Sequence, residues 1–455
     1  MDALFHDFKQ AHYIRNGPLL ADTLSPIALP RDPNRLRVFH SQSDDYSIAS
    51  DVKYQVLHYD KSIDITKAEA NAWVDIYIAY WKSLGPILDA ENVPLEADWS
   101  KIYDRWKDVA NSLIKGYSSG NFPSWTVPCL YVVGRHLRIF AIKADESARV
   151  ASGGVQMKTG GFQDDIASDI GKNEKLEDAA RVINRIFTLC ISDRASLEES
   201  RKWALYYTTN LLFKTYFKLN SISLSKNILR ALSASRTDMP VLEAFPKSHI
   251  VTFKYYVGVI FFLEEDYKQA EESLTEAYKL CHAYSHKNRE LILTYLIPTR
   301  LLTTRLLPSV SLLRPYPRLL TLFMPLVRAI RLGSLHDFDA ALSAGEPEFV
   351  KRRIYLTLER GRDICLRNLL RKVCLHQGWK DDGQMRKVSV SEFVAAVGYS
   401  ERGGRPLGNG EYLDRDEVEC QLANMIYKDL MKGYISREHS VVVLSKKGAF
   451  PGTGI

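Results

Sequence analysis

Segments with helical periodicity follow one another at short spacing through most of the chain, and this succession restricts the fold more than any other feature. From Thr66 to Tyr80, Lys101 to Lys115 and Leu130 to Ala144, apolar residues recur at steps of three and four. Five further segments of this kind lie at about residues 176–191, 196–219, 221–234, 248–264 and 267–284. This period is typical of amphipathic helices, so the pattern predicts a mostly α-helical stack.

The segment at residues 267–284 shows the pattern most clearly. One stripe on it consists of Tyr267, Ala270, Leu274, Ala277, Tyr278 and Cys281. Its two alanines permit a neighbouring helix to approach closely. The preceding segment offers Phe253, Val257 and Phe261 as the facing surface. Paired helices of this kind indicate a tetratricopeptide-like helical repeat stack, although the match to a formal repeat of about 34 residues is poor. Five prolines between Pro298 and Pro325 are expected to shorten the later helices.

The last hundred residues follow a different order of elements. A long helix is predicted at Glu348–His376, and the capping box Ser389–Glu392 begins a short helix that ends at Gly398. A third helix runs from about Asp414 to Lys432, with Gly433 as its stop. Two short apolar runs, at residues 434–436 and 441–444, flank a polar turn and predict a hairpin. Three helices followed by a two-stranded ribbon indicate a winged helix.

These patterns divide the chain into three predicted parts. Residues 1–65 form an irregular N-terminal arm, because much of this region is rich in Pro, Asp and Ser and weakly periodic. Residues 66–345 form the helical repeat stack and residues 346–455 the winged helix. Two loops interrupt these parts, a Gly- and Asp-rich one at residues 151–175 and a Gly-rich one at residues 400–412.

The net charge of +7 is small for 455 residues, but it is unevenly distributed. Residues 286–336 hold eight bases and one acid, residues 337–350 hold four acids and no base, and residues 351–455 have a net charge of +6. The first 285 residues have a net charge of −2. A basic second half is typical of chains that bind acidic partners, and solvated helix faces are the equal alternative.

The cysteines and the apolar segments indicate a soluble intracellular protein. The six cysteines lie far apart without a CxxC pair, which favours free thiols over disulfides or a zinc site. The N-terminus has no basic and apolar segments of a signal peptide. The most apolar stretch, Leu291–Leu332, contains six arginines, so no membrane span and no membrane partner are expected.

The third helix of the winged helix carries the first candidate nucleic-acid residues. Gln421, Asn424, Lys428 and Lys432 follow Glu417 at helical steps, opposite a core face of Val418, Leu422, Met425 and Ile426. In a winged helix this helix can enter a groove, where amides contact base edges and lysines neutralise phosphates. The wing adds Arg437, Lys446 and Lys447, and the long helix adds Arg367, Arg371 and Lys372. A solvated face and a protein contact remain the alternatives for the stripe.

Catalytic and metal-binding motifs are not evident. The sequence contains no GxxxxGK[ST], GxGxxG after a strand, HExxH or GxSxG pattern. His282 and His286 have the spacing of a helical metal pair beside Cys281, but no third ligand is evident. We therefore expect no enzyme activity, no cofactor and no metal.

A helical stack that ends in a winged helix is the architecture of PCI domains, and several segments resemble the PCI-domain-containing protein 2 family. They are Asn210-Leu-Leu-Phe-Lys-Thr-Tyr-Phe-Lys-Leu-Asn220, Thr252-Phe-Lys-Tyr-Tyr-Val-Gly258, Asp266-Tyr-Lys-Gln-Ala-Glu271, Lys287-Asn-Arg-Glu-Leu-Ile-Leu-Thr-Tyr-Leu-Ile-Pro298, Leu366-Arg-Asn-Leu-Leu-Arg-Lys-Val373, Asp416-Glu-Val-Glu-Cys-Gln-Leu-Ala-Asn-Met-Ile-Tyr427 and Lys432-Gly-Tyr-Ile-Ser436. The resemblance covers about residues 130–450 and implies a PCI domain at about 200–450. The family includes the Sac-binding subunit of the transcription-export complex 2 and the fungal signalosome subunit 12 homologues, which the chain resembles more.

The resemblance implies a non-enzymatic scaffold with several partners. Family members pair with a second PCI protein of the Sac/Thp kind through the winged helix, and they hold the small acidic DSS/Sem protein. The module binds RNA or DNA in mRNA export, splicing or transcription-coupled processes, which implies the nucleus, with the cytoplasm as a second compartment. We expect the acidic partner at Lys351, Arg352, Arg353 and Tyr355, together with the basic stretch 286–336. The alternative is a pure protein–protein scaffold of a signalosome-like complex.

Overall fold

The computed structural model describes residues 2–57, 65–94, 97–119, 122–151, 173–378, 386–405 and 414–452. The chain divides into two compact units, Met1–Tyr256 and Val257–Ile455. The predicted division after residue 345 separated the helical stack from the winged helix. The two units divide the chain at residue 256 instead, so helices of the predicted stack occur in both units. The predicted loops at 151–175 and 400–412 lie mostly outside the described residues.

The first unit begins with helices where the sequence analysis predicted an irregular arm. These helices are α1 (Asp2–Tyr13), α2 (Gly17–Thr23), α3 (Arg35–Ser41) and α4 (Ile48–Leu57). Their apolar side chains are buried, and the rings of Phe5 and Phe8 lie 5.1 and 5.4 Å from that of Tyr77. Asn16 caps α2 through a hydrogen bond from the Leu19 amide. The prediction was wrong because such short helices depend on tertiary burial rather than on their own periodicity.

The rest of the first unit is a series of longer helices. They are α5 (Lys67–Asn92), α6 (Trp99–Ser119), α7 (Pro128–Ala151), α8 (Glu174–Ile191), α9 (Leu205–Lys218) and α10 (Ile222–Ala234). Each packs on the next in sequence. Trp73 and Trp106 are fully buried, and the Trp106 indole donates to the carbonyl oxygen of Val133 at 3.0 Å. The predicted helical stack is confirmed.

Helix α11 (Lys247–Leu263) contains the boundary between the units. Within the first unit, the Phe253 ring lies 4.8 Å from that of Tyr206 and 6.1 Å from that of Phe213. Within the second unit, Gly258 makes a close approach to Leu274. A β-carbon on Gly258 would lie 2.6 Å from the Leu274 Cγ.

The second unit continues with seven helices before its sheet, counted over the described residues 257–378. They are α12 (Tyr267–Leu280), α13 (His286–Thr303), α14 (Val310–Leu313), α15 (Pro317–Leu332), α16 (Leu335–Lys351), α17 (Tyr355–Glu359) and α18 (Gly361–His376). The prolines shorten them less than predicted. Pro317 begins α15, but Pro298 and Pro325 lie inside α13 and α15. Buried residues around both prolines hold these helices together despite the missing amide.

The single long helix predicted at Glu348–His376 is in fact three helical pieces. The first break follows Lys351, where Arg353 has a φ of 58° and the Ile354 amide donates to the Phe349 carbonyl oxygen at 2.9 Å. Ile354 is buried after this turn. The chain therefore leaves the helix in order to bury an apolar side chain, which periodicity does not reveal.

The C-terminal part is a winged helix, as predicted. It contains α18, β1 (Arg386–Ser389), α19 (Val390–Glu401), α20 (Arg415–Tyr427), β2 (Gly433–Ser436) and β3 (Val441–Leu444). The strands form one antiparallel sheet in the order β1-β3-β2, with Val442 opposite both Val388 and Ile435. The hairpin is confirmed, and β1 is a third strand that the sequence analysis missed.

Two helix ends in the winged helix differ from the prediction. Helix α19 continues through Gly398 to Glu401, and Ser389 caps it by accepting from the Ser391 amide rather than as part of a capping box. Helix α20 ends at Tyr427 and not at Lys432. Beyond it Asp429 has a φ of 54°, and the amide of buried Met431 donates to the Met425 carbonyl oxygen at 3.1 Å.

Candidate nucleic-acid and partner interface

The predicted stripe on α20 is only partly a helical surface. Asn424 is exposed and Gln421 is half-buried, while Val418 and Leu422 are buried on the opposite face. Lys428 follows the last residue of the helix, and Lys432 lies just before β2. The four predicted residues therefore do not form one continuous helical row.

Both of these lysines contact carboxylates of the chain itself. The Lys428 ammonium lies 2.6 Å from an oxygen of Asp363, and the Lys432 ammonium lies 3.6 Å from an oxygen of Asp429. Each lysine is about half exposed. Such exposed pairs contribute only about 0–1 kcal/mol, so a phosphate can replace the carboxylate at small cost.

The wing arginine, Arg437, is more firmly engaged. Its Nε donates to Glu419 at 3.0 Å, and one terminal nitrogen donates to Asp416 at 3.3 Å. Glu419 is buried and also accepts from Arg415 at 3.2 Å. The Glu419 carboxylate raises the pKa of Arg437, with Asp416 adding to the effect. The guanidinium joins the hairpin to α20, so its first role in the fold is structural.

Lys446 and Lys447 differ from the other predicted cations. Both are exposed just after β3, and neither ammonium has an ion pair within the part of the chain that the structure describes. Their backbone is held by a hydrogen bond from the Ser445 hydroxyl to the Lys447 carbonyl oxygen at 3.1 Å. Two adjacent ammonium groups on an ordered turn are suited to neighbouring phosphates.

Arg367 was predicted to bind nucleic acid, but the structure places its side chain in the interior. It is only 2% exposed, and its guanidinium donates to the carbonyl oxygens of Phe450 and Pro451 at 2.9 and 3.1 Å. It also donates to the side chain of Asn368 at 2.8 Å. Burial lowers the pKa of Arg367 to about 10, and the charges of neighbouring arginines contribute. A buried guanidinium with these partners is not available to a phosphate.

The other two bases on α18 are more accessible. Lys372 is exposed and donates to the Leu332 carbonyl oxygen at 3.1 Å. That oxygen belongs to the last residue of α15, where a cation complements the helix dipole. Arg371 is half-buried on the same helix. Lys372 is therefore partly committed to stabilising a helix end.

The four residues predicted for the acidic partner also fall into different environments. Lys351 is exposed at the end of α16, and Arg353 and Tyr355 are half-buried. Arg352 was predicted to contact the acidic partner, but it is only 4% exposed and its Nε lies 3.5 Å from Glu348. The main chain between α16 and α17 directs Arg352 inward and leaves Lys351 outside.

The basic stretch 286–336 is divided in the same way. Arg300 pairs with Glu271 at 3.4 Å, and Arg318 pairs with Glu348. Arg305 donates to main-chain carbonyl oxygens, one of them that of Asp429 at 3.2 Å. In contrast, Arg328 and Arg331 are exposed on α15. Part of this positive charge is therefore internal to the fold.

Several exposed apolar and aromatic side chains of the second unit were not predicted from the sequence. Tyr427 and Tyr434 are 89% and 56% exposed in the winged helix, Leu356 on α17 is 68% exposed, and Val350 near the end of α16 is also exposed. Exposed side chains of this kind are enriched at protein interfaces. The exposure of Tyr427 could have been predicted from the sequence. This residue follows the core residue Met425 by two positions, and residues two apart lie on different faces of a helix.

The predictions about metal binding and membrane spans can be compared with the positions of the histidines and with the described helices. His282 lies in the turn after α12 and His286 begins α13, so the two do not share a helix as the spacing had suggested. Within the described ranges, no group of three His, Cys, Asp or Glu side chains is arranged to hold a metal ion. None of the helices described has the length and apolar character that crossing a bilayer requires.

Comparison with known proteins bears on the same region. Residues 344–446 match the PCI domain family, within the predicted span of about 200–450. The chain is 53% identical to the protein CSN12 homolog of Neurospora crassa over 100% of both chains. It is 37% identical to the protein CSN12 homolog of Schizosaccharomyces pombe over 86% of this chain and 85% of that one. It is 34% identical to PCI domain-containing protein 2 of Xenopus laevis over 79% of this chain and 81% of that one.

Helical repeats, a C-terminal winged helix and this similarity agree with one another, and they confirm the predicted resemblance. The chain belongs to the PCI-domain family that comprises the CSN12 homologues and PCI domain-containing protein 2.

Proposed function

We propose that this protein is a non-enzymatic scaffold subunit that pairs with a second PCI-domain protein of the Sac/Thp kind and with the small acidic DSS/Sem protein. The assembled module binds RNA, with DNA as a second ligand, and acts in the nucleus in mRNA export, splicing or transcription-coupled processes. Membership of the PCI-domain family supports the scaffold role.

The observation that carries nucleic-acid binding is the pair Lys446 and Lys447. These ammonium groups are exposed and unpaired within the described residues, so they can meet phosphates without first losing an intramolecular partner. Lys428 and Lys432 extend the positive surface at the small cost of weak ion pairs. Few side chains here are placed to contact base edges, so we expect weak sequence preference.

Exposed apolar side chains support the two protein partners. Tyr427 and Tyr434 offer aromatic anchors on the winged helix for the second PCI protein. Val350 and Lys351 are exposed at the end of α16, and Leu356 is exposed on the next helix, α17, so this segment combines apolar surface with positive charge. A disordered acidic segment needs this combination, because charge attracts it and apolar burial offsets the entropy lost on ordering.

The test is RNA binding by the complex of this chain with its PCI partner and the acidic protein, across a salt series. The double variant Lys446→Gln and Lys447→Gln should reduce the slope of log affinity against log salt by about 1.5, because each phosphate contact contributes about 0.7–0.9. The matched control, Lys268→Gln and Lys279→Gln, removes the same charge from exposed positions on α12. A slope that is equal in both double variants would refute direct binding by the wing.

A pure protein scaffold of a signalosome-like complex is the second candidate. The observation that favours it is that Lys428, Lys432 and Arg437 all contact carboxylates of the chain. In that case the complex would assemble normally while its RNA affinity stayed negligible even at low salt. The same salt series therefore separates the two candidates.

A further inference from the structure

The charges of the winged helix are separated along α20. The start of this helix and the hairpin tip beside it carry five acids and two arginines: Asp414, Asp416, Glu417, Glu419 and Glu438 with Arg415 and Arg437. Near the end of the helix lie four lysines: Lys428, Lys432, Lys446 and Lys447. Because α20 has 13 residues, its negative and positive ends are about 20 Å apart.

Three of these lysines meet at one turn. The Lys432 amide donates to the Ala449 carbonyl oxygen at 2.7 Å, and the Ser445 amide donates to the Lys432 carbonyl oxygen at 2.9 Å. The main chain of Lys432 therefore lies between the two ends of the turn that carries Lys446 and Lys447. All three lysines are exposed. Together they form a compact positive surface that suits a few successive phosphates of one strand.

The opposite end of α20 is negative at the position where a recognition helix meets duplex DNA. Asp416 and Glu417 are exposed in the first turn, and the exposed residue Asp414 caps it. In helix-turn-helix proteins the first residues of the recognition helix enter the major groove, between two rows of phosphates. The helix dipole supplies only about half a positive charge there, so it does not offset three exposed carboxylates. Phosphates therefore repel α20 from such a groove.

The two arginines at this end do not reverse its charge. Arg437, in the hairpin turn, pairs with Asp416 at 3.3 Å and with Glu419 at 3.0 Å. Arg415 pairs with Glu419 at 3.2 Å. Glu438, the next residue of the hairpin turn, is exposed. Both guanidinium groups are thus held by carboxylates, and the hairpin tip offers a duplex no surplus of positive charge over the described residues 414–440.

Duplex RNA fits this surface poorly because of its shape. Its major groove is deep and narrow, and domains that bind it contact two successive minor grooves over about 16 base pairs. Such a span needs positive charge along an extended face, whereas Lys432, Lys446 and Lys447 share one turn. A flexible single strand can bring its phosphates to a compact cluster.

We infer that the RNA bound by this winged helix is single-stranded, and that it crosses the turn of Lys432, Lys446 and Lys447 while the acids at the start of α20 exclude duplexes. The inference rests on the proposed RNA binding and specifies its ligand class. The separation of about 20 Å exceeds twice the Debye length of about 8 Å at physiological ionic strength. The acids therefore repel a ligand that approaches the start of α20 and have little effect on a strand bound at the lysines.

The test measures fluorescence anisotropy of three labelled probes with the complex of this chain, its PCI partner and the acidic protein at physiological salt. The probes are a single-stranded RNA of about 16 nucleotides, its duplex with the complementary RNA, and a DNA duplex of the same length. The single strand should bind at least about tenfold more tightly than either duplex.

A pair of variants tests the role of the acids. Asp416→Asn with Glu417→Gln should raise the affinity for duplex DNA at least about threefold and change the affinity for the single strand by less than about twofold. The matched control, Glu198→Gln with Glu199→Gln, removes two adjacent exposed carboxylates from the first unit and should change neither affinity.

The outcomes separate the inference from the proposed function. Equal or tighter binding of a duplex would overturn the inference while RNA binding stood, and so would a duplex affinity that stays low in the Asp416 and Glu417 variant. If none of the three probes binds, the proposed RNA binding is wrong and the inference falls with it. Thermal unfolding checks each variant, and Glu417→Gln alone retains the test where the double variant fails to fold, because Asp416 makes the Arg437 contact.

Discussion

The guanidinium of Arg367, in the middle of α18, donates a hydrogen bond to the main-chain carbonyl oxygen of Phe450 at 2.9 Å. The same side chain bonds to the Pro451 carbonyl oxygen, and its charge lies 5.9 Å from the centre of the Phe450 ring. Arg367, which the sequence pattern predicted to bind phosphate, therefore holds the segment after β3 to α18, the first helix of the winged helix. Lys446 and Lys447 lie in that segment, so Arg367 helps to order the proposed contact without forming it.

Replacing Arg367 should reduce stability rather than charge-dependent binding. Arg367→Met removes three hydrogen bonds and leaves two main-chain carbonyl oxygens without this donor, so we expect a loss of about 2–4 kcal/mol in the free energy of unfolding. Urea unfolding measures it, with Lys447→Gln as an exposed control that changes stability by less than about 0.5 kcal/mol. If Arg367→Met kept full stability but bound RNA more weakly, Arg367 would be a nucleic-acid-binding residue after all.

Two buried histidines predict a loss of stability in mild acid. Burial lowers the pKa of His12 and of His136 to about 4, from 6.5 in an exposed ring. The unfolded chain therefore binds more protons than the folded chain between these values, and stability falls as the pH decreases from 6.5 to 4. The full effect is on the order of 3 kcal/mol for each ring.

The measurement is the free energy of unfolding at pH 7, 6 and 5, where the lowered pKa values of Asp178 and Asp193 do not yet contribute. His12→Phe and His136→Phe should each remove part of the pH dependence. The same slope in wild type and in both variants would show that these rings are not the groups responsible.

The close approach of Gly258 to Leu274 predicts a cost for the smallest possible addition. Alanine normally stabilises a helix relative to glycine, but a β-carbon here would lie 2.6 Å from the Leu274 Cγ and 3.2 Å from its amide nitrogen. Since Leu274 is fully buried, we expect Gly258→Ala to destabilise the protein by about 1–3 kcal/mol. Ser233→Ala, at an exposed position on α10, is the control for thermal unfolding. A stabilised Gly258→Ala would mean that the two helices separate easily.

The exposed residues around α17 allow a test of the proposed acidic partner, the DSS/Sem protein. Leu356→Ser removes an apolar anchor and Lys351→Glu reverses a charge, so each should reduce co-purification of the DSS/Sem protein, with affinity lower by about tenfold. Lys268→Glu changes the same charge on α12 and should have no effect. Unchanged retention in both test variants would place the acidic protein on another surface.

Basic residues at adjacent positions can thus lie either in the interior or on the surface, and the sequence pattern could not distinguish the two. Arg352 and Lys351 are adjacent, yet the first is buried against Glu348 and the second is exposed. Their difference arises from the turn after α16, where Arg353 adopts a positive φ and Ile354 becomes buried. Charge counted along the chain overestimated the surface available to an acidic partner, because it cannot show which bases bond to the chain itself.

The sequence by itself determined the long amphipathic helices and the order of the winged helix, because both depend on local periodicity and turn residues. Tertiary structure decided what periodicity does not encode: the helices of the first 57 residues, the strand β1, the end of α20 at Tyr427 and the inward direction of Arg367. The early helices, β1 and the direction of Arg367 depend on contacts with residues distant in sequence, and α20 ends where the chain turns to bury Met431. Burial against such partners outweighs the small free-energy differences of local propensity, which are below about 1 kcal/mol per residue for ordinary side chains.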